Sequence, residues 1–153
     1  MTKNGLLLDR RKNIINRNVN HNIFYSMKNS QIIFSEKAPK PIGPYSQGVM
    51  CGDMLLVSGQ ISINPATGEM DTSNIENETR QVMENIKAII SAAKMEMKNI
   101  VKVTIFLRDI KNFQKMNEVY GSYFKENFPS REIAQISALP KNANVEISVI
   151  AIN

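Results

Sequence analysis

From residue 31 onward the spacing of apolar residues switches repeatedly between the two-residue period of a strand and the helical 3.6, and a layered α+β domain accommodates that alternation. Gln31–Phe34 reads as a short strand, after which Pro39, Pro41, Gly43 and Pro44 stiffen a loop where no ladder can continue. Gly48–Cys51, the turn Gly52-Asp53 and Met54–Ser58 read as a hairpin, and Asn64-Pro65-Ala66-Thr67-Gly68 as a turn. Ser73-Asn74-Ile75-Glu76 has capping-box spacing ahead of Val82, Ile86, Ile89, Ile90 and Ala93, which predicts a helix of about five turns. Val101, Val103, Ile105 and Leu107 alternate with polar residues as a strand does. Asp109 or Asn112 can cap a second helix with the stripe Phe113, Met116, Tyr120, Tyr123 and Phe124. Strands over Arg131–Ser137 and Val145–Ile152 close the chain. The expected order is β-β-β-α-β-α-β-β, with two helices packed on one face of a mixed sheet. Ile150, Phe106 and Ile136 suggest that the other face favours burial against partners.

With 153 residues the chain has the length of one domain, and no apolar run approaches the roughly 18 residues needed to cross a bilayer, which argues against a membrane protein. Residues 1–30 differ from the rest. They are rich in Asn, lack a period, and hold six basic residues against Asp9, whereas residues 31–153 hold 13 basic and 13 acidic residues. The net charge of +5 therefore belongs to the extension, which reads as disordered or as an organelle-targeting segment; Met27 also offers an internal start. Residues 31–153 form the domain. Its neutrality argues against nucleic acid, since proteins that bind phosphates concentrate Lys and Arg. A single cysteine, Cys51, excludes an internal disulfide and points to a reducing compartment, the cytoplasm, with a mitochondrion or other organelle as the alternative that the extension leaves open. The one histidine is His21, so residues 31–153 lack the Ser-His-Asp and Cys-His arrangements and imidazole zinc sites. Catalysis in the domain falls to carboxylates, Arg, Tyr, hydroxyls, backbone groups and water.

Four polar residues stand where packing alone favours something else. Glu146 lies in the last strand, facing away from Val145, Ile147, Val149 and Ala151, and is there either paired or functional. Asn117 sits on the edge of the second helix's apolar stripe, as a backbone-satisfying amide or a site residue. Arg131 opens a strand after Phe128-Pro129-Ser130, as a surface residue or a bidentate clamp for a carboxylate. Tyr45, in the stiff loop, is a structural anchor or a cleft residue. Ser58-Gly59 could supply a hydroxyl and a close backbone approach, or simply a turn.

Taken together, Ile42-Gly43-Pro44-Tyr45-Ser46-Gln47-Gly48, Ser58-Gly59-Gln60-Ile61, Asn64-Pro65-x-Thr67-Gly68-Glu69, Asn117-x-x-Tyr120-x-x-Tyr123-Phe124, Phe128-Pro129-Ser130-Arg131, Ala138-Leu139-Pro140-Lys141 and Val145-Glu146-Ile147 resemble the RidA family, also called YjgF or L-PSP, over about residues 31–153. The resemblance implies a chorismate-mutase-like subunit, a homotrimer with clefts between subunits, and hydrolysis of 2-imino and enamine acids such as 2-iminobutanoate and 2-iminopropanoate to 2-oxo acids and ammonia. It links the protein to the pyridoxal-phosphate-dependent dehydratases that release these intermediates, and implies neither metal nor organic cofactor. It makes Arg131 the carboxylate clamp and Glu146 the residue that activates water. Tyr45 and Asn117 would join them in the cleft, and Ser58, Gly59 and the backbone of Ile133 would contact substrate. Members of this family usually carry a small Ser or Thr and often Cys after that arginine, whereas here Glu132-Ile133 follows. Ile133 would narrow the pocket, and a Glu132 folded back onto Arg131 would compete with the substrate carboxylate. Two other readings stay open: an L-PSP-type endoribonuclease or translation inhibitor, and a non-enzymatic chaperone-like or ligand-sensing trimer.

Overall fold

The computed structural model describes residues 30–153. The targeting, disorder and internal-start readings fall on residues 1–29 and lie outside the described residues. Strands β1 (Ser30–Ile33), β2 (Gly48–Cys51) and β3 (Met54–Gln60) precede helix α1 (Ile75–Ala92). Strand β4 (Ile100–Leu107), helix α2 (Phe113–Gly121), β5 (Ser130–Gln135) and β6 (Val145–Ile152) follow, in the expected order. One six-stranded sheet results, ordered β1-β2-β3-β6-β4-β5, antiparallel except for the parallel pair β4 and β5. It is an α+β fold with both helices on one face.

The core lies between that face and the helices. Val82, Met83, Ile86, Ile89 and Ile90 of α1 meet Leu55, Val57, Val103, Ile105, Ile147 and Val149, all buried. Each fully buried Ile or Leu on this seam contributes about 1.5–3 kcal/mol. Helix α2 adds Met116 and Tyr120, and Phe124 follows just past its end. A smaller cluster of Ile61, Ile63, Leu139 and Ala143 takes in Phe106 and Ile136. Those two residues, expected to seek a partner, are thus largely covered from within the chain. What stays open on that face is a row set by strand register, Ile32, Val49, Leu56 and Ile150, in which Ile32 is 69% and Leu56 41% exposed.

Several local expectations are corrected. Asn74, not Ser73, caps α1, accepting from the Asn77 backbone N–H at 2.8 Å, while Ser73 donates to Asp71. The β4–β6 register shifts between Ile100 and Lys102, so Ile100 is buried and Val101 points out at 43% exposure. Asp109 caps a short 3-10 turn, Ile110–Asn112, which tips Phe113 partly into solvent as α2 begins. Strand β5 stops at Gln135, where the Ile136 N–H bonds to the Leu107 carbonyl and its side chain leaves the ladder.

Candidate active site

A cleft of about 330 Å³ opens beside β3 and β6, walled by the proline-rich loop and floored by Ser58, Gly59 and Glu146. The loop is rigid because the buried Gln47 side chain binds it repeatedly. Its Oε1 accepts from the Ser35 N–H at 2.7 Å, and its Nε2 donates to the carbonyls of Ser35, Ala38 and, at 2.8 Å, Pro39. Tyr45 combines its two readings: its hydroxyl accepts from the Ile42 N–H at 3.3 Å, and its ring lines the cleft.

The floor depends on a β-bulge. Val57 pairs with Val149 and Gln60 with Ile147, so β3 carries one extra residue across from Ser148. That insertion turns Ser58 and Gly59 into the cleft, and the Ser58 hydroxyl donates to the Ser46 carbonyl at 2.7 Å. On the opposite side the buried Glu78 carboxylate fixes the start of β6, accepting from the Asn144 N–H at 2.7 Å and its Nδ2 at 2.9 Å, two residues before Glu146.

Glu146 is half-buried, and its carboxylate forms no hydrogen bond or ion pair among the described residues. Burial alone pushes its carboxyl above its ordinary value of 4.5. The carboxylate lies on Gly59, where a Cβ would fall 2.8 Å from Glu146 Cδ and 3.1 Å from Cγ. Only glycine leaves room for this rotamer. Gly59→Ala is therefore expected to displace the carboxylate and cut kcat about 100-fold while leaving the melting temperature within a few degrees, because the clash falls on a side chain and not on backbone. Parallel steady-state kinetics and thermal melts check this.

Arg131 and Asn117 are brought together elsewhere. The Arg131 guanidinium donates to Asn117 Oδ1 at 2.7 Å and stacks 4.8 Å from the centroid of Tyr120, so one planar fork is held by an amide and a ring. Burial raises the Tyr120 phenol, partly offset by the Arg131 charge. Ile133 is half-buried and packs on the main core, which absorbs its bulk. Glu132 does not fold back onto Arg131: it accepts from Thr104 Oγ1 at 2.9 Å and pairs with Lys102 at 3.3 Å, contacts that hold its carboxyl below the usual range.

The two groups lie on opposite faces of the sheet. Arg131 shares a row with Val103 and Val149 on the helix-covered face, whereas Glu146 shares one with Phe106 and Ala134 on the other. Gln47, Gln60, Lys40 and Pro140 are contributors to the cleft that sequence reasoning missed. The glycine inside the β3 pattern was the available signal for the bulge. Among the described residues no three His, Cys, Asp or Glu side chains converge as a metal site, and no helix is long and apolar enough to cross a membrane.

Comparison with known proteins places this geometry among relatives. The family model described as endoribonuclease L-PSP matches residues 35–153. A RutC family protein of Pyrococcus horikoshii is 50% identical over 121 residues, covering 79% of this chain and 96% of that protein. The human protein named 2-iminobutanoate/2-iminopropanoate deaminase is 41% identical over 122 residues, covering 80% and 89%. Among solved structures, that of E. coli TdcF with bound serine superposes with a TM-score of 0.78 at 40% identity, covering 80% of this chain and 98% of that one.

Proposed function

The chain belongs to the endoribonuclease L-PSP family, the RidA or YjgF group, and from that membership and the cleft we propose that it hydrolyses 2-imino acids to 2-oxo acids and ammonia. The carrying observation is an unpartnered carboxylate with raised proton affinity, Glu146, at the floor of the cleft, to which the opposite sheet face adds a guanidinium held ready by Asn117 and Tyr120, Arg131. Because the two lie on opposite sheet faces, one cleft contains both only when a second copy supplies its Arg131. The apolar row through Leu56 and Ile150 supports such an assembly, which we take to be a homotrimer.

In this reading the substrate carboxylate takes the guanidinium donors that Asn117 leaves free, which aims the imine carbon at Glu146 of the adjoining subunit. Glu146 accepts a proton from water as the water oxygen bonds to that carbon, forming a tetrahedral amino alcohol. That proton then passes to nitrogen, the C–N bond breaks as the hydroxyl gives its own proton back to Glu146, and ammonia and a 2-oxo acid are left. Tyr45 orients substrate or water through its O–H, and the Ser58-Gly59 bulge supplies the floor. The neutral domain works against the ribonuclease reading suggested by the family's name.

The test couples the full chain to a threonine dehydratase and threonine, following conversion of 2-iminobutanoate to 2-oxobutanoate. Acceleration lost in Arg131→Ala and in Glu146→Ala supports the proposal. A folded protein that does not accelerate the step overturns it.

A further inference from the structure

The cleft contains a cation that the imine chemistry does not require. Of the residues lining it only Lys40 and Glu146 are charged. Lys40 is exposed and has no carboxylate within 4 Å among the described residues. It is not on a wandering loop. Pro39 and Pro41 flank it, fixing their own φ and holding residue 40 extended, and the Pro39 carbonyl is tied to Gln47 at 2.8 Å. A lysine costs side-chain entropy to order and gains little at a surface without a partner. Here its backbone is stiffened, and the residue lines the same cavity as Glu146.

We infer that Lys40 is a specificity residue that receives the second carboxylate of a 2-imino dicarboxylic acid, the imines of aspartate or glutamate type. The inference rests on the deaminase reading. In that reading Arg131 consumes the α-carboxylate, so a 2-iminobutanoate molecule offers nothing to Lys40, whereas a side-chain carboxylate gives the ammonium an opposite charge. Ile42, Ile61 and Ile63, which line the same cleft, suit the intervening methylenes. The repulsion that Glu146 exerts on a second carboxylate is offset by Lys40, so the pair sets the charge balance of the pocket. The reactions that supply such substrates are those that oxidise the amino group of an acidic amino acid.

The experiment measures kcat/KM of the full chain on 2-iminosuccinate, generated by an enzyme that oxidises aspartate, and on 2-iminobutanoate, generated from threonine. The ratio of the two is compared in Lys40→Ala and Lys40→Glu. The expected result is a ratio about fivefold lower in Lys40→Ala, the size of a half-screened ion pair, and lower again in Lys40→Glu. A ratio that does not move in either variant overturns the assignment while leaving the deaminase reading intact. Failure of the unaltered protein on both imines overturns the deaminase reading and this inference with it.

Discussion

Glu146→Gln is expected to slow imine hydrolysis by about 10²–10⁴-fold, the range for losing a positioned general base, and at the same time to raise the melting temperature at pH 7. Both effects have one cause. Burial against Gly59, with no hydrogen-bonding partner, lifts the carboxyl above 4.5, so the folded protein holds the proton more tightly than the unfolded chain does. A group raised in this way favours folding at low pH, below its unfolded value, and loses that contribution as pH rises through the folded value. At neutral pH the ionised carboxylate therefore works against the fold, and the amide removes the cost. The gap in melting temperature between the two proteins is expected to close by about pH 4, where both are uncharged. In the same window the rate of the unaltered protein falls, since the base must be ionised, with a midpoint above the ordinary carboxylate value. Melts and initial rates between pH 4 and 8 on one pair of proteins test both consequences. A gap in melting temperature no larger at pH 7 than at pH 4 would contradict an uncompensated carboxylate at Glu146.

Arg131→Ala is the second large effect, and it should fall mainly on KM, by about 100-fold, because the lost contact binds the substrate carboxylate as firmly before the reaction as during it. Arg131→Lys distinguishes charge from geometry. A lysine keeps the positive charge but has neither the planar fork nor the stacking surface that Tyr120 supports at 4.8 Å, so it should recover only a minor part of the loss. Asn117→Ala should then weaken binding less than Arg131→Ala, since it frees the fork without removing it. Full recovery by lysine would mean that the position acts only as a point charge.

The layer architecture was legible because the periods were long and clean. Val145, Ile147, Val149 and Ala151 on one side of β6 announced both a strand and the outward placement of Glu146, and α1 announced itself through Val82, Ile86 and Ile89. What escaped were features set by pairing between distant segments. The register shift beside Ile100 turned Val101 to solvent, and the extra residue in β3 against β6 turned Ser58 and Gly59 into the cleft. The first has no local signal, and the only local sign of the second is the glycine within the β3 pattern. The same limit hid the main property of the site. Alternation placed Arg131 and Ile133 on one side and Glu132 on the other, but which side faced the helices depended on the parallel pairing of β5 with β4, Arg131 opposite Val103. Once that register is known, Glu132 is committed to Thr104 and Lys102, and Glu132 and Ile133 leave the Arg131 hydrogen bond to Asn117 undisturbed.

The measurement that bears most directly on the composite cleft is complementation between two inactive variants. Arg131→Ala and Glu146→Ala each spoil every cleft in a pure assembly, yet co-expressed they should form mixed assemblies in which some clefts take an intact Glu146 from one copy and an intact Arg131 from another. Random assembly makes about one cleft in four whole, so at 2-iminobutanoate concentrations well below KM the purified mixture should run at about a quarter of the unaltered rate, far above either variant alone. Activity no greater than the sum of the separate variants, in a preparation shown to contain both chains in one assembly, would contradict a cleft shared between copies.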